Sequence, residues 1–221
     1  MKEAYFTPDT LAACTLAFQQ ELEGYQQKRD PPFLPQNSAL LVLDMQGYFL
    51  DPSSHAYVPS AAAILTGLKA LTHTYARQGR PVIFTQHVNT PEDAGKMSTW
   101  WRGLITTGEP LAAIVPEFDL STGIVLTKTQ YDAFYGTPLE EILRERGVKQ
   151  VVIGGVMTHL CCETTARSAF MRGFDVFFLI DGTATYQRDY HRASLLNLAH
   201  GFATLVTVND LLAQEKRVDA K

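Results

Sequence analysis

The sequence predicts an α/β fold: a three-layer sandwich whose six-stranded, mainly parallel sheet is covered by helices on both faces. Three observations predict it. Six short runs rich in β-branched residues recur along the chain, apolar at consecutive rather than alternate positions, as in strands buried on both faces. Amphipathic stretches of helical period separate these runs, as parallel crossovers require. The chain is 46% apolar and 19% charged over 221 residues, enough for one sizeable core, so a single domain over 1–221 is expected.

Taken in order, residues 5–28 read as an N-terminal helical extension, and the Pro-rich "KRDPPFLPQN" connects it to the sheet. The first strand is "ALLVLDM" (39–45), followed by a helix over 59–78 and the strand "PVIFTQ" (81–86). Residues 88–122 are long and irregular, with two tryptophans at 100–101; a loop of that length in a compact domain indicates a lid or a binding loop. "GIVLTK" (123–128) is the third strand. The helix over 138–147 starts at Pro138 and stops at Gly147, the usual asymmetry of helix ends. "QVVIGGV" (150–156), a helix over 160–172, "DVFFLID" (175–181), a helix over 188–200, "ATLVTV" (203–208) and a last helix from Asn209 complete the pattern, with right-handed crossovers.

The bulk properties exclude several classes. A net charge of −4 gives no reason to expect nucleic acid or an anionic membrane as partner. The start, "MKEAYFTPDTLAAC", lacks a signal-peptide pattern, and no apolar run approaches a membrane span. Three cysteines, two of them adjacent, make no stapling framework, so a cytoplasmic location is expected. A nucleotide site should follow the first strand with a glycine-rich turn, and "LDMQGYFLDP" has one glycine.

Ligands of open α/β sheets sit beyond the carboxyl ends of the strands. The first strand delivers Asp44 there, the third Lys128, and the fourth runs through Gly154–Thr158 to Cys161. Singly, each has a bland reading: a cap, a solvated tip, a small buried hydrophobe. Their convergence on one rim carries the functional reading. In "GGVMTHLCCETTAR" a zinc site would need further ligands at suitable spacing, and a disulfide between neighbours on a helix would distort the backbone. Successive helix residues point about 100° apart, so only one of Cys161 and Cys162 aims into the pocket; the residues alone leave open which.

"LLVLDMQGYF", "VLTKTQYDAF" and "GGVMTHLCCETTARSAFMRGF" resemble, in order and spacing, the three signature segments of the isochorismatase-like hydrolase superfamily. The resemblance covers Ala39 to Leu212. It implies an Asp–Lys–Cys triad at Asp44, Lys128 and Cys161, assigns Gly155, Val156, Thr158 and Cys161 to the family's G-V-x-T-x-x-C pattern, and leaves Cys162 to packing. It also implies a non-proline cis peptide at Val156–Met157 and a homo-oligomer, dimer or tetramer. The nicotinamidase branch binds a metal through Asp-x-His and a second His after the second strand. "FTQHVNTPED" has His87 alone, so no metal and no cofactor are expected, and His87 is expected to be a hydrogen-bonding pocket residue. The segments around "QYDAFYGTPLEEIL" and "ETTARSAFMRGF" resemble isochorismatases, which carry Gly in place of Cys161; the thiol argues instead for attack on an amide or ureido carbonyl.

Such chemistry needs a thiolate, a base and oxyanion donors. The following helix N-terminus and the Lys128 ammonium are expected to lower the thiol pKa. Asp44 is expected to be the base, and the backbone N–H groups of Met157 and Cys161 are the candidate oxyanion donors. Tyr48, Phe49, Trp101, Tyr131 and Phe134 lie near the rim elements and are expected to form a small aromatic pocket for a compact substrate. The alternative activity is vinyl-ether hydrolysis of isochorismate or a related small acid.

Overall fold

A computed structural model describes residues 2–25 and 31–218, with side chains to 214. Six strands form one sheet, all parallel: β1 Ser38–Leu43, β2 Val82–His87, β3 Ile124–Lys128, β4 Gln150–Val156, β5 Asp175–Ala184 and β6 Thr204–Val206. Their order is β3-β2-β1-β4-β5-β6. The chain therefore works outward in one direction from β1 to β3, then starts again beside β1 with β4. This reversal opens a crevice beyond the carboxyl ends of β1 and β4.

The helices are α1 (Leu11–Leu22), α2 (Gly47–Leu50), α3 (Ala61–Arg77), α4 (Met97–Trp100), α5 (Leu139–Glu145), α6 (Glu163–Met171), α7 (Arg188–Gly201) and α8 (Val208–Val218). α3 lies across β1, β2, β4 and β5 and packs on α8, while α6 packs on α7 and β5. Right-handed crossovers to opposite sides of β1 place these two layers on opposite faces. β1 and β4 are buried at every position, which explains their unbroken apolar runs. Each fully buried Val, Leu or Ile contributes about 1.5–3 kcal/mol. None of the helices among the described residues is long and apolar enough to cross a membrane.

The N-terminal extension is helical over a shorter range than 5–28, and residues 26–28 of that range lie outside the described residues. Before α1, Thr7 and Thr10 bond each other's backbone and hydroxyl groups across the turn that leads into the helix. Phe6 and Phe18 insert beside His191 of α7. The irregular stretch after β2 holds α4 and two single 3₁₀ turns, and is tied down by bridges Gln46–Ile114 and Asn89–Thr106.

Candidate active site

Three strand ends build the site. β1 stops at Leu43, and Asp44 turns away in a left-handed conformation (φ 52°), which Asp tolerates better than most residues. Thr85 of β2 fixes it: the Asp44 N–H bonds to Thr85 O and Oγ1, and the Thr85 hydroxyl donates to Asp44 Oδ1 at 2.6 Å. On the other side β4 must come very close. A Cβ on Gly155 (φ 114°) would lie 2.1 Å from Leu43 O, so only glycine fits. The chain then passes a cis Val156–Met157 peptide into one π-helical turn, Thr158–Cys162, in which the Cys162 N–H donates to Met157 O. α6 continues from it. Sequence periodicity reads this π turn as the start of one α-helix.

Lys128, at the end of β3, is wholly buried. Its Nζ lies 2.8 Å from Asp44 Oδ2 as an ion pair, and donates toward Gln130 O (2.8 Å), His87 Nδ1 (3.2 Å) and Cys161 Sγ (3.3 Å). Burial penalises both charges, yet their mutual attraction prevails: Asp44 is held below the usual carboxylate range and Lys128 above the usual lysine value. Cys161 behaves oppositely to the sequence expectation. Burial pushes its thiol up to about 12, the Asp44 carboxylate adds to this, and Lys128 opposes it without prevailing. Burial thus favours the neutral thiol form of Cys161 beside the Asp44–Lys128 ion pair.

Cys161 opens onto a small cavity of about 40 Å³, room for a few water-sized groups. Tyr48, Phe49, His87, Trp101 and Tyr131 line it. The Trp101 indole N–H donates to Tyr131 OH at 2.9 Å, which sets the two rings against each other. Phe134 does not line it. The chain turns at Asp132 and Ala133, whose backbone-to-side-chain bonds engage Phe134 N and Thr165 Oγ1, and the Phe134 ring stacks on Phe174 under the Arg172 guanidinium. Met157 and Cys161, the residues of the expected oxyanion donors, both border the cavity. Cys162 is fully buried in the core. His159 turns away, bonded to Thr185 and stacked on Tyr190.

Other residues of the site carried no sequence signal. His55 bonds Tyr48 OH at 2.6 Å and joins the wall, as do Met97 and Ile105 from the irregular stretch. Gln46 clamps His87: its Oε1 accepts the His87 N–H, and its Nε2 donates to His87 O and Ala112 O. Asn89 stands behind the His87 ring at 2.8 Å.

Among the described residues, Asp44, His87 and Cys161 bring three ligand-type atoms within 4.8 Å of one another. The Lys128 ammonium stands among them and would repel a cation, and both His87 ring nitrogens are engaged. These residues do not fit a metal ion.

Comparison with known proteins agrees with the geometry. The isochorismatase domain family matches residues 38–210. Nicotinamidase 3 of Arabidopsis thaliana is 40% identical over 190 residues, covering 84% of this chain and 91% of that protein. Enterobactin synthase component B of Escherichia coli K12 is 33% identical over 193 residues, covering 85% of this chain and 66% of that longer protein. A solved cysteine hydrolase from Pseudomonas syringae pv. phaseolicola 1448A has a TM-score of 0.80 at 25% identity, covering 85% of this chain and 96% of the other.

Proposed function

The chain belongs to the isochorismatase-like hydrolase family, and within it we propose a cysteine amidohydrolase that cleaves a small amide or ureido C–N bond through a thioester on Cys161. The observation that carries this reading is the thiol itself, buried at the floor of an aromatic cavity with a charged Asp–Lys pair against it. Asp44 takes the thiol proton as Sγ attacks the carbonyl carbon. The oxygen, now negative, is held by the Met157 and Cys161 N–H groups. Asp44 returns the proton to the leaving nitrogen, the C–N bond breaks, and ammonia or an amine departs. Water then attacks the thioester with Asp44 again as base, and the acid leaves. Lys128 keeps Asp44 ionised between steps and faces the sulfur as it becomes charged.

Aromatic walls favour a flat, compact substrate and exclude bulk water. The 40% identity to a nicotinamidase puts aromatic carboxamides first in a substrate panel, followed by ureido acids. A second reading, isochorismate cleavage, is supported by the 33% identity to the enterobactin component. Intact-protein mass spectrometry under quenched turnover separates the two. The amidohydrolase reading expects an acyl adduct on the wild type that is missing from Cys161→Ala. Brisk isochorismate cleavage by Cys161→Gly, with no adduct in any wild-type reaction, would overturn it.

A further inference from the structure

The N-terminal segment lies outside the residues that match the family, 38–210, yet it is tied to the rim that carries the site. At the start of α7 the Arg188 N–H donates to the Glu3 carboxylate, and the Glu3 N–H donates to Tyr186 O at 2.8 Å. At the start of α3 the Phe6 N–H donates to Ser60 Oγ at 3.1 Å. Both helices are crossovers of a parallel sheet, so both start at its carboxyl rim. The Lys2 ammonium donates to the carbonyl of His55, a wall residue of the cavity.

Tyr5 stands in the middle of this path. The Thr185 N–H donates to its hydroxyl at 2.9 Å, and His191 Nδ1 lies 2.7 Å from the same oxygen. Thr158, the first residue of the π turn, sits beside that hydroxyl with its Oγ1 3.5 Å from His191 Nδ1. His159, the second residue of the turn, has its Nδ1 2.6 Å from Thr185 Oγ1. The turn that ends on Cys161 and Cys162 is therefore fastened at its start to His191 and Thr185, and one phenol joins those two groups. Thr158, Thr185 and His191 are wholly buried, so no bulk water replaces a bond lost among them.

Resting on the cysteine-hydrolase reading of the site, we propose that the N-terminal segment is a strap that holds the nucleophile turn in its reactive shape, with Tyr5 as its positioning residue. The turn carries the sulfur and the backbone N–H groups that meet the developing oxyanion. Such groups work only when held to a fraction of an ångström, and a misplacement of about 1 Å costs on the order of a hundredfold in rate. The cavity walls Tyr48, Phe49, Trp101 and Tyr131 come from other segments of the chain. Loss of the Tyr5 hydroxyl should therefore slow the chemical step and spare binding.

Two measurements on the whole protein test this. Tyr5→Phe removes one oxygen and keeps the ring, while Val148→Ala, a core change just before β4 at the amino end of the sheet, gives the effect of lost stability alone. With the aromatic carboxamide that the wild type turns over fastest, Tyr5→Phe should lower kcat about ten- to a hundredfold and keep KM within about twofold. Val148→Ala should keep both within about twofold. The second measurement, hydrogen exchange by NMR, needs no substrate. The Leu160 and Cys162 amides both bond to Met157 O, at 3.0 and 3.3 Å. Relative to the amides of β1, their exchange should quicken at least about tenfold in Tyr5→Phe, and the ratio should stay at its wild-type value in Val148→Ala. A wild-type ratio in Tyr5→Phe, a kcat within about twofold of wild type, or a raised KM at constant kcat would overturn the proposal. Absence of turnover on every amide would defeat the functional reading, and the exchange ratio would still decide whether Tyr5 holds the turn.

Discussion

Lys128 Nζ stands 2.8 Å from Asp44 Oδ2, and neither side chain has any exposed surface. The pair spans three strands, since Asp44 follows β1, Lys128 ends β3, and β2 between them supplies Thr85 and His87 to the same cluster. Burying two charges costs several kcal/mol per ion before their attraction repays it. An arrangement so expensive, and so poor as a stabilising device compared with apolar packing, is placed where chemistry needs it.

Removing one partner strands the other. Asp44→Asn and Lys128→Met should each lose about 3–5 kcal/mol of stability, a fall in Tm of roughly 10 °C for a chain of this size. Activity should fall by at least about 10³-fold in both, measured below the lowered Tm. The double variant Asp44→Leu/Lys128→Met should regain much of the stability and none of the activity. Recovery of turnover in the double variant would place the acid–base work elsewhere.

The two adjacent cysteines should separate cleanly. Cys161 borders the cavity and Cys162 is sealed in the core. Cys161→Ala should abolish turnover with little change in Tm. Cys162→Ala should keep most of the activity and lose about 1 kcal/mol for the emptied volume, read by urea unfolding. Equal loss of activity in both would contradict this assignment.

Much of this was legible in the sequence, for reasons that also explain the omissions. A strand buried on both faces writes its apolar run directly into the chain, so all six strands are readable, and Asp44, Lys128 and the approach to Cys161 follow from where the runs stop. What periodicity cannot record is an i→i+5 turn, so the π-helical entry to α6 reads as ordinary helix. Nor can it place side chains from an aperiodic stretch: Asn89, Met97 and Ile105 reach the cavity through the path of residues 88–122, fixed by tertiary bridges. Phe134 stands three residues after Tyr131 and looks equivalent, but the turn at Asp132 sends it to Phe174. The thiol pKa is not legible in the sequence, because burial, a property of the fold, outweighs the nearby lysine.

That thiol gives a pH prediction. With Cys161 pushed up to about 12, its labelling rate by iodoacetamide should climb about tenfold per pH unit from pH 7 to 10 without a plateau. Lys128→Met should lower the rate throughout, since the lysine is the one group opposing the shift. A plateau near pH 8 to 9 in the wild type would show a thiol of ordinary acidity.

Exhaustive treatment with EDTA should leave activity within about twofold of the untreated enzyme, because an ammonium stands where a cation would sit. Loss on chelation that zinc or manganese restores would contradict that.

The last prediction concerns stability and the N-terminal segment. His191 of α7 is wholly buried, its Nδ1 2.7 Å from Tyr5 OH, with its ring stacked on Phe18. Burial brings its pKa down to about 3. The unfolded chain binds that proton near pH 6.5 and the folded one does not, so between these values the unfolded state carries more protons and stability falls as pH falls. Above about pH 7 the group contributes no pH dependence. At pH 5 its share of the loss is about 2 kcal/mol. Urea unfolding of the wild type at pH 7.5 and pH 5 should show a loss of at least this size, because His87, held down to about 4, acts in the same sense. His191→Gln cannot titrate, so its loss between the two pH values should be smaller by about 2 kcal/mol. If the two proteins lose stability in parallel, His191 is protonated in the folded state, and the Tyr5 hydroxyl would have to accept from Nδ1 rather than donate to it.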